Sequence, residues 1–482
     1  MALRAAVAGF ATVALLVPAA CRTAAPAGMA EKNPAPVAGP VDEDAVRALP
    51  GYRAESVAAP VFGGEVFVME AGEPSAATVV LVHGLGESGC RDFYPVLPAL
   101  VPRYHVVALD LPGFGRSTHA NELYSPERYA QFLHELLATR RRGRFNLVGH
   151  SMGGALSLFY AARFPADVER LVLIDAAGML QRNAFVDFAA DAALDRWLGP
   201  LAKPAKELAT VLSESSRTAA GPLLPGGAPD PAVVLQSGPL RATVLGGDPT
   251  RIAALAVILE NFGPAIDQVR APTWILWGSN DAIASPRAGR VLRARLPAVA
   301  LRVLDGSGHD PMQSRPAAVR EFLLGALSSP AVAPPKAAAV AALPSSRKGR
   351  CARQDGMRFS GDYAEIEVVG CKDVVLQDVR AASLRLRDSY AVVEAAQVTG
   401  ADVALEVKGS RVQITASDFS GNVALDVAGS DLDLAGVVLR GRRASVHVGG
   451  ASRLVFSISR ADSPINQRYL HGVYEFDIGA EL

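Results

Sequence analysis

The chain has 482 residues, of which 50% are hydrophobic and 20% are charged, so it can bury large cores and we expect two or more domains. Lys and Arg total 48, as do Asp and Glu, and this zero net charge without a basic tract argues against a nucleic-acid partner. Beyond the N-terminus no apolar run reaches membrane-spanning length, which argues against an integral membrane protein.

The first 21 residues have the layout of an export signal. A positive residue precedes an apolar run from Ala5 to Ala20, and small residues stand directly before Cys21. Small residues before a cysteine resemble the bacterial lipobox, whose cysteine becomes a lipidated N-terminus, although Pro18 replaces the usual aliphatic residue. The alternative is ordinary cleavage after Ala27. Both predict an exported protein, and the lipobox predicts a membrane-anchored lipoprotein in the periplasm or at the cell surface.

Two segments rich in Ala and Pro divide the rest of the chain. The first, residues 22–53, lacks periodicity and suits a tether. The second, residues 328–350, separates residues 54–327 from residues 351–482 and suits a linker. Because this linker carries no pattern that could pack a shared core, we expect the domains on either side of it to fold independently.

Strand-like and helix-like segments alternate from about residue 54, which is typical of an α/β domain with a largely parallel sheet. A buried strand over Thr78–Val82 runs into His83-Gly84-Leu85-Gly86, whose glycines let the backbone approach a ligand. The next strand, His105–Leu109, ends in a turn-rich loop that begins at Asp110.

Ser151 stands at the centre of the pattern Gly149-His150-Ser151-Met152-Gly153. An apolar run over Phe145–Val148 predicts a buried strand before it, and residues 155–164 predict a helix after it. A serine on such a sharp turn needs small neighbours two positions away on each side, so the pattern predicts a nucleophile elbow. The alternative is a serine that caps a glycine-rich helix.

Two further polar residues, an aspartate and a histidine, follow predicted strands after Ser151, which gives the chain order Ser, Asp, His. Asp281 lies beyond the strand over residues 272–278, and His309 lies beyond the strand over Ala300–Leu304. Asp175 also follows a strand directly, so it competes with Asp281 for the role of the acid. Residues of about 179–264 are helical and irregular, with a Gly/Pro-rich stretch within them.

These loops, in this order, are strongly similar to the α/β-hydrolase fold superfamily over residues 54–327. The resemblance implies a Ser151-His309-Asp281 triad, with Asp175 as the alternative acid, and an oxyanion hole made by the amides of Leu85 and Met152. It also implies a helical cap over about residues 179–264. Neither a metal site nor a cofactor is predicted.

The predicted reaction is hydrolysis of a small-molecule ester through an acyl-enzyme, because the pattern defines the nucleophile but not the leaving group. Lactones, thioesters and carbon–carbon bonds remain open. Haloalkane dehalogenase and epoxide hydrolase chemistry is disfavoured, since both need an aspartate in place of Ser151. The alternative from another class is a surface binding or structural protein in which the C-terminal domain is the working part and the hydrolase fold is vestigial.

Within residues 351–482 the sequence repeats about every 20 residues, from about Phe359 to Ser459. Equivalent short strands begin at Leu384, Leu405, Leu425 and Val446, each followed by Gly, Ser or Asp turn residues. Such units cannot bury an apolar face alone, so we expect them to stack as a solenoid. The spacing resembles the right-handed parallel β-helix. Leucine-rich repeats have a similar period but a fuller leucine consensus.

The β-helix resemblance carries two further expectations. Cys351 and Cys371 are about one coil apart, which would place them one above the other, and a disulfide suits an exported protein. Outward charged side chains are candidates for contact with a polysaccharide or another surface. They are Arg385, Arg387, Glu406, Lys408 and Arg411. No clustered acidic ligands or aromatic groove support sugar cleavage.

Overall fold

The computed structural model describes residues 43–141, 143–180, 230–329, 346–464, 466–476 and 478–482. The predicted signal with Cys21, most of the tether, the cap segment 181–229 and the linker segment 330–345 lie outside the described residues. Within the described ranges no single helix is long and apolar enough to cross a membrane, and one bent pair, residues 238–244 with 249–259, satisfies length and composition alone.

Residues 43–329, called the α/β region below, contain one eight-stranded sheet with the order β1-β2-β4-β3-β5-β6-β7-β8. Its first two strands are antiparallel to their neighbours and the others are parallel. The strands are β1 Arg53–Ala58, β2 Glu65–Ala71, β3 Thr78–Val82, β4 His105–Leu109, β5 Phe145–His150, β6 Val168–Ile174, β7 Thr273–Gly278 and β8 Val299–Leu304. The predicted α/β class is confirmed.

Helices follow most strands of this sheet and cover both of its faces. They are α1 Glu43–Arg47, a 3-10 helix Gly89–Val96, α2 Leu97–Leu100, α3 Pro126–Ala138, α4 Met152–Arg163, α5 Pro231–Gln236, α6 Gly238–Val244, α7 Pro249–Leu259, α8 Gly263–Gln268, α9 Pro286–Arg295, α10 Pro311–Ser314 and α11 Pro316–Ser328. In β3, Val80 and Val82 pack in one core and Val79 and Leu81 in the core on the opposite face. Burial on both faces explains why the central strands are continuous apolar runs.

Residues 346–482, called the β region below, form an all-β structure of mainly parallel strands. The strands are β9 Lys348–Ala352, β10 Arg358–Val369, β11 Val374–Arg387, β12 Tyr390–Glu394, β13 Gln397–Thr399, β14 Val403–Lys408, β15 Arg411–Thr415, β16 Asp418–Ala428, β17 Asp431–Ala435, β18 Val438–Val448, β19 Ser452–Ser463 and β20 Asn466–Phe476. β11 pairs with both β10 and β12, which closes the sheet, and β20 is antiparallel to β19.

The sequence repeat corresponds to the pairing register. Leu384 pairs with Leu405, Leu405 with Leu425, and Leu425 with Val446, so equivalent positions of successive repeats are hydrogen-bonded neighbours. These four side chains are buried in one apolar cluster. An all-β region of repeated parallel strands is therefore confirmed.

A ladder of buried serines connects successive repeats. Ser389, Ser410 and Ser430 each accept a backbone N–H from the preceding repeat at 3.0–3.1 Å. Each hydroxyl donates in turn to the carbonyl two residues earlier, at 2.6–2.8 Å. Because a buried polar group is costly unless it is hydrogen-bonded, this reciprocal pattern explains why serine recurs at the turns.

The two regions share part of their apolar core. Ala435, Val455 and Ile458 of the β region belong to the same buried cluster as one face of the α/β sheet. A Cβ added to Gly436 would lie 2.8 Å from Val291 of α9. No sequence signal indicated this contact, because linker composition carries no information about which strand faces meet elsewhere. Independent folding of the two regions stays a prediction.

Candidate active site

Ser151 occupies a strained turn between β5 and α4. Its φ is 52° and its ψ is −120°, in a region that costs a non-glycine residue roughly 1–3 kcal/mol, and its side chain is buried. A Cβ on Gly149 would lie 2.2 Å from the Gly153 carbonyl oxygen, and one on Gly153 would lie 2.1 Å from the Val82 carbonyl oxygen. Both glycines are therefore required by sterics, as the elbow pattern predicts.

Three predicted side chains meet at the carboxyl end of the sheet. His309 Nε2 lies 2.8 Å from Ser151 Oγ, and His309 Nδ1 lies 2.8 Å from Asp281 Oδ2. The second Asp281 oxygen, Oδ1, accepts the backbone N–H groups of Ile283 and Ala284, both at 2.8 Å. These bonds hold the carboxylate with one oxygen free to accept from the imidazole.

Asp175 lies beside Asp281 rather than on His309. Its Oδ1 accepts the Gly278 N–H at 2.8 Å, and its Oδ2 is buried without a hydrogen-bond partner in the described chain. Burial, followed by the neighbouring Asp281 charge, raises the pKa of Asp175 well above its usual range. Both effects favour the protonated form of Asp175.

The backbone of the loop after β3 lies against the serine. A Cβ on Gly84 would lie 2.9 Å from Ser151 Cβ, which places the neighbouring Leu85 amide near the site. His83 anchors this loop, because its Nε2 accepts the Leu111 N–H at 2.8 Å and its Nδ1 donates to the Gly84 carbonyl at 2.6 Å.

Met152 is the first residue of α4. Amides in the first turn of a helix have no intrahelical acceptor, and the helix dipole favours negative charge there. The Met152 N–H therefore has the character needed to stabilise an oxyanion next to Ser151.

A family model described as alpha/beta hydrolase family matches residues 79–322, about half of the chain. The chain belongs to the alpha/beta hydrolase family. The prediction of an α/β-hydrolase enzyme is thereby confirmed.

Individual relatives of this hydrolase also match the α/β region. An uncharacterized protein of Mycobacterium tuberculosis is 29% identical over 262 residues, covering 50% of this chain and 73% of its own. Lipase 1 of Psychrobacter immobilis is 28% identical over 268 residues, covering 52% of this chain and 76% of its own. Among solved structures, a membrane phospholipase A described as a bacterial virulence factor covers 59% of this chain and 90% of its own, with 26% identity and a TM-score of 0.45.

The hydrolase also has a histidine contact that sequence reasoning missed. His150 Nε2 donates to the backbone carbonyl of His309 at 2.8 Å, so it supports the residue that carries the candidate base. Burial lowers the pKa of His150 to about 4, and the imidazole is neutral at pH 7. A histidine inside an elbow pattern gives no sequence signal for this contact, because its partner is a backbone atom far along the chain.

Asp92 is a second residue that the sequence did not single out. Its Oδ2 lies 3.9 Å from His150 Nδ1, and burial raises its pKa to about 6. Only its place shortly after the His83-Gly84-Leu85-Gly86 loop could have drawn attention to it.

Cys351 and Cys371, the remaining predicted residues that the structure describes, lie in the β region. They form a disulfide. Cys21 lies outside the described residues. Of the segment predicted as a cap, the structure describes α5 to α7 and the turn into α8. No cluster of potential metal ligands occurs among the residues that the structure describes.

Proposed function

We propose that this hydrolase cleaves carboxylic esters, with Ser151 as the nucleophile, His309 as the base and Asp281 as the acid that orients it. The observation that carries the proposal is the continuous chain of 2.8 Å contacts from Ser151 Oγ through His309 to Asp281, mounted on a strained elbow. Acyl transfer by a serine needs such a series of contacts, because the serine must lose its proton as it attacks.

In this proposal each proton has a destination. Asp281 accepts the Nδ1–H of His309, which leaves Nε2 free to take the Ser151 hydroxyl proton as Oγ bonds to the ester carbonyl carbon. The amides of Leu85 and Met152 stabilise the oxyanion. His309 then protonates the departing alcohol, and water hydrolyses the acyl-enzyme through the same groups in reverse order.

An ester is the substrate class that the comparisons support best. The relative from Psychrobacter immobilis bears the name of a lipase, and lipases cleave carboxylic esters. Lactones, thioesters and carbon–carbon bonds are the alternatives for the same nucleophile. A panel of p-nitrophenyl esters of increasing chain length, assayed beside a lactone and a thioester, tests this assignment. Turnover confined to the lactone, or to the thioester, would contradict it.

The alternative of a vestigial hydrolase fold is not favoured. A fold without catalytic use has no need of a strained serine, yet Ser151 keeps its φ of 52° and its contact with His309. The strain is consistent with function at this position.

For the β region we infer a right-handed parallel β-helix. Its support is the near-constant repeat, the parallel pairing of equivalent positions and the serine ladder. The outward charges proposed for a polysaccharide partner are largely paired within the region: Arg387 and Lys408 both contact Glu406, and Arg411 contacts Asp431. Such pairing leaves fewer free donors for an external ligand.

We also propose export and lipid anchoring at Cys21, on the sequence alone. The apolar N-terminal run, the small residues before Cys21 and the Ala/Pro-rich tether after it support this proposal.

A further inference from the structure

The position of Asp281 depends on the start of α9. Asp281 Oδ1 accepts from the Ala284 amide, the Ala284 carbonyl accepts the indole N–H of Trp277 at 2.9 Å, and Ser285 caps α9 by accepting from the Arg287 amide at 3.3 Å. The acid, its loop and the first turn of α9 are therefore one hydrogen-bonded unit. A movement of α9 would move the carboxylate that faces His309.

Arg287 attaches this first turn to the β region. Its guanidinium donates to Thr415 Oγ1 at 2.7 Å, to the Ile414 carbonyl at 2.8 Å and to the Asp433 carbonyl at 3.1 Å, and it forms an ion pair with the Asp433 carboxylate. The side chain is only 6% exposed. A buried guanidinium is tolerated when its donors are satisfied, and in the described chain these side-chain hydrogen bonds all end on β15 and β17.

Two further arginines extend the attachment along α9. Arg290 pairs with Glu394 at 2.7 Å, and Arg295 donates to the Gly436 carbonyl from Nε at 3.1 Å and from Nη2 at 2.7 Å. The two arginines lie near the middle and the end of the helix, so α9 contacts the β region over its whole length. Glu394, Thr415 and Asp433 belong to paired strands, and Gly436 directly follows β17.

We propose that the β region is a brace for the active site and that Arg287 is a positioning residue for Asp281. The inference rests on the proposed function, since it concerns how the acid is held for His309. It assigns the β region a role in turnover without any ligand of its own.

If the β region positions Asp281, loss of Arg287 should affect kcat and KM differently. Because the Arg287 side chain is buried and bonded to β15 and β17, its loss should lower kcat while KM changes little. Displacement of a catalytic group by about 1 Å can cost on the order of 100-fold in rate, so we expect the Arg287→Met variant of the full chain to lose about ten- to 100-fold in kcat. Arg380→Met is the matched control, because Arg380 pairs with Asp362 on an exposed part of the β region.

A double-mutant cycle with Asp281→Asn separates positioning from general damage. If Arg287 acts through Asp281, adding Arg287→Met to the Asp281→Asn chain should change kcat by less than about twofold. Effects that multiply would overturn the inference, and so would an Arg287→Met chain with wild-type kcat.

A milder variant covers the case in which Arg287→Met does not fold. Thr415→Val removes one acceptor of Arg287 with little change of shape, and we expect a kcat loss of about two- to fivefold that disappears in the Asp281→Asn background. An unchanged kcat in folded Thr415→Val, beside an Arg287→Met chain that does not fold, would overturn the inference. Absence of turnover in the wild-type chain would instead refute the proposed function.

Discussion

Replacement of Asp281 by asparagine tests the assignment of the acid. Two backbone amides, those of Ile283 and Ala284, donate to Asp281 Oδ1. The asparagine carbonyl must stay there to accept them, which directs its NH2 group at His309 Nδ1. The imidazole must then accept at Nδ1 and carry its proton on Nε2, where it can no longer take the proton of Ser151.

The size of the effect follows from this change of tautomer. An aspartate-to-asparagine change in a serine triad lowers kcat by about 10⁴, which corresponds to about 5 kcal/mol of transition-state stabilisation. We expect the same order for Asp281→Asn, with KM nearly unchanged because the pocket is not altered.

Asp175→Asn is the matched control, because burial beside Asp281 raises the pKa of Asp175 and so favours its protonated form. An amide resembles a protonated carboxyl, keeps an acceptor for the Gly278 N–H and offers N–H donors to Asp281. We therefore expect a loss of kcat below about tenfold.

Steady-state kinetics on one p-nitrophenyl ester, with circular dichroism melts of both variants, measures the comparison. A larger loss of kcat in a folded Asp175→Asn chain than in Asp281→Asn would contradict the assignment of Asp281 and identify Asp175 as the acid.

Substitutions of Gly153, Asp92 and Cys21 test three further parts of the protein. Gly153→Ala should fail to fold or lose cooperative melting, since the added Cβ would lie 2.1 Å from the Val82 carbonyl oxygen. A Gly153→Ala chain that melts like the wild type would contradict this prediction. Asp92 binds its proton more tightly in the native state than in the unfolded chain, so its ionisation destabilises the native state increasingly between pH 3.8 and about 6 and fully above that range. Asp92→Asn should therefore raise the free energy of unfolding by up to about 3 kcal/mol at pH 8 and by nothing at pH 3. Denaturant unfolding in which this difference does not depend on pH would contradict the prediction. Lipidated protein should enter the detergent phase in a partitioning assay and a Cys21→Ser chain should not; equal partitioning of the two would argue against the anchor.

The elbow and the order of its partners could be predicted because local sterics and chain topology determine them. Gly149 and Gly153 are required by backbone contacts that any serine on this turn would make. Ser151, Asp281 and His309 each follow a strand, and the ends of parallel strands meet at one edge of the sheet. The repeat of the β region was visible because each unit needs the same buried positions.

The interface and the buried polar partners could not be predicted in this way. Arg287, Arg290 and Arg295 have the spacing of a solvated helix face, and nothing local shows that Asp433 and Glu394 lie opposite them. The raised pKa of Asp175 depends on burial beside a second carboxyl, which only the fold creates.

The interface between the two regions bears on whether each of them folds independently. A fragment of residues 43–329 would expose the Arg287 guanidinium without its partners on β15 and β17. We expect such a fragment to melt below the full chain.

Covalent labelling is the most direct test that Ser151 is the nucleophile. The full chain is treated with a fluorophosphonate, and the modified peptide is identified by mass spectrometry beside the Ser151→Ala and His309→Asn variants. We expect a single label on Ser151 in the wild-type chain, slow labelling of His309→Asn and no label on Ser151→Ala. A folded wild-type chain that stays unlabelled, or a label on another residue that persists in Ser151→Ala, would contradict this expectation.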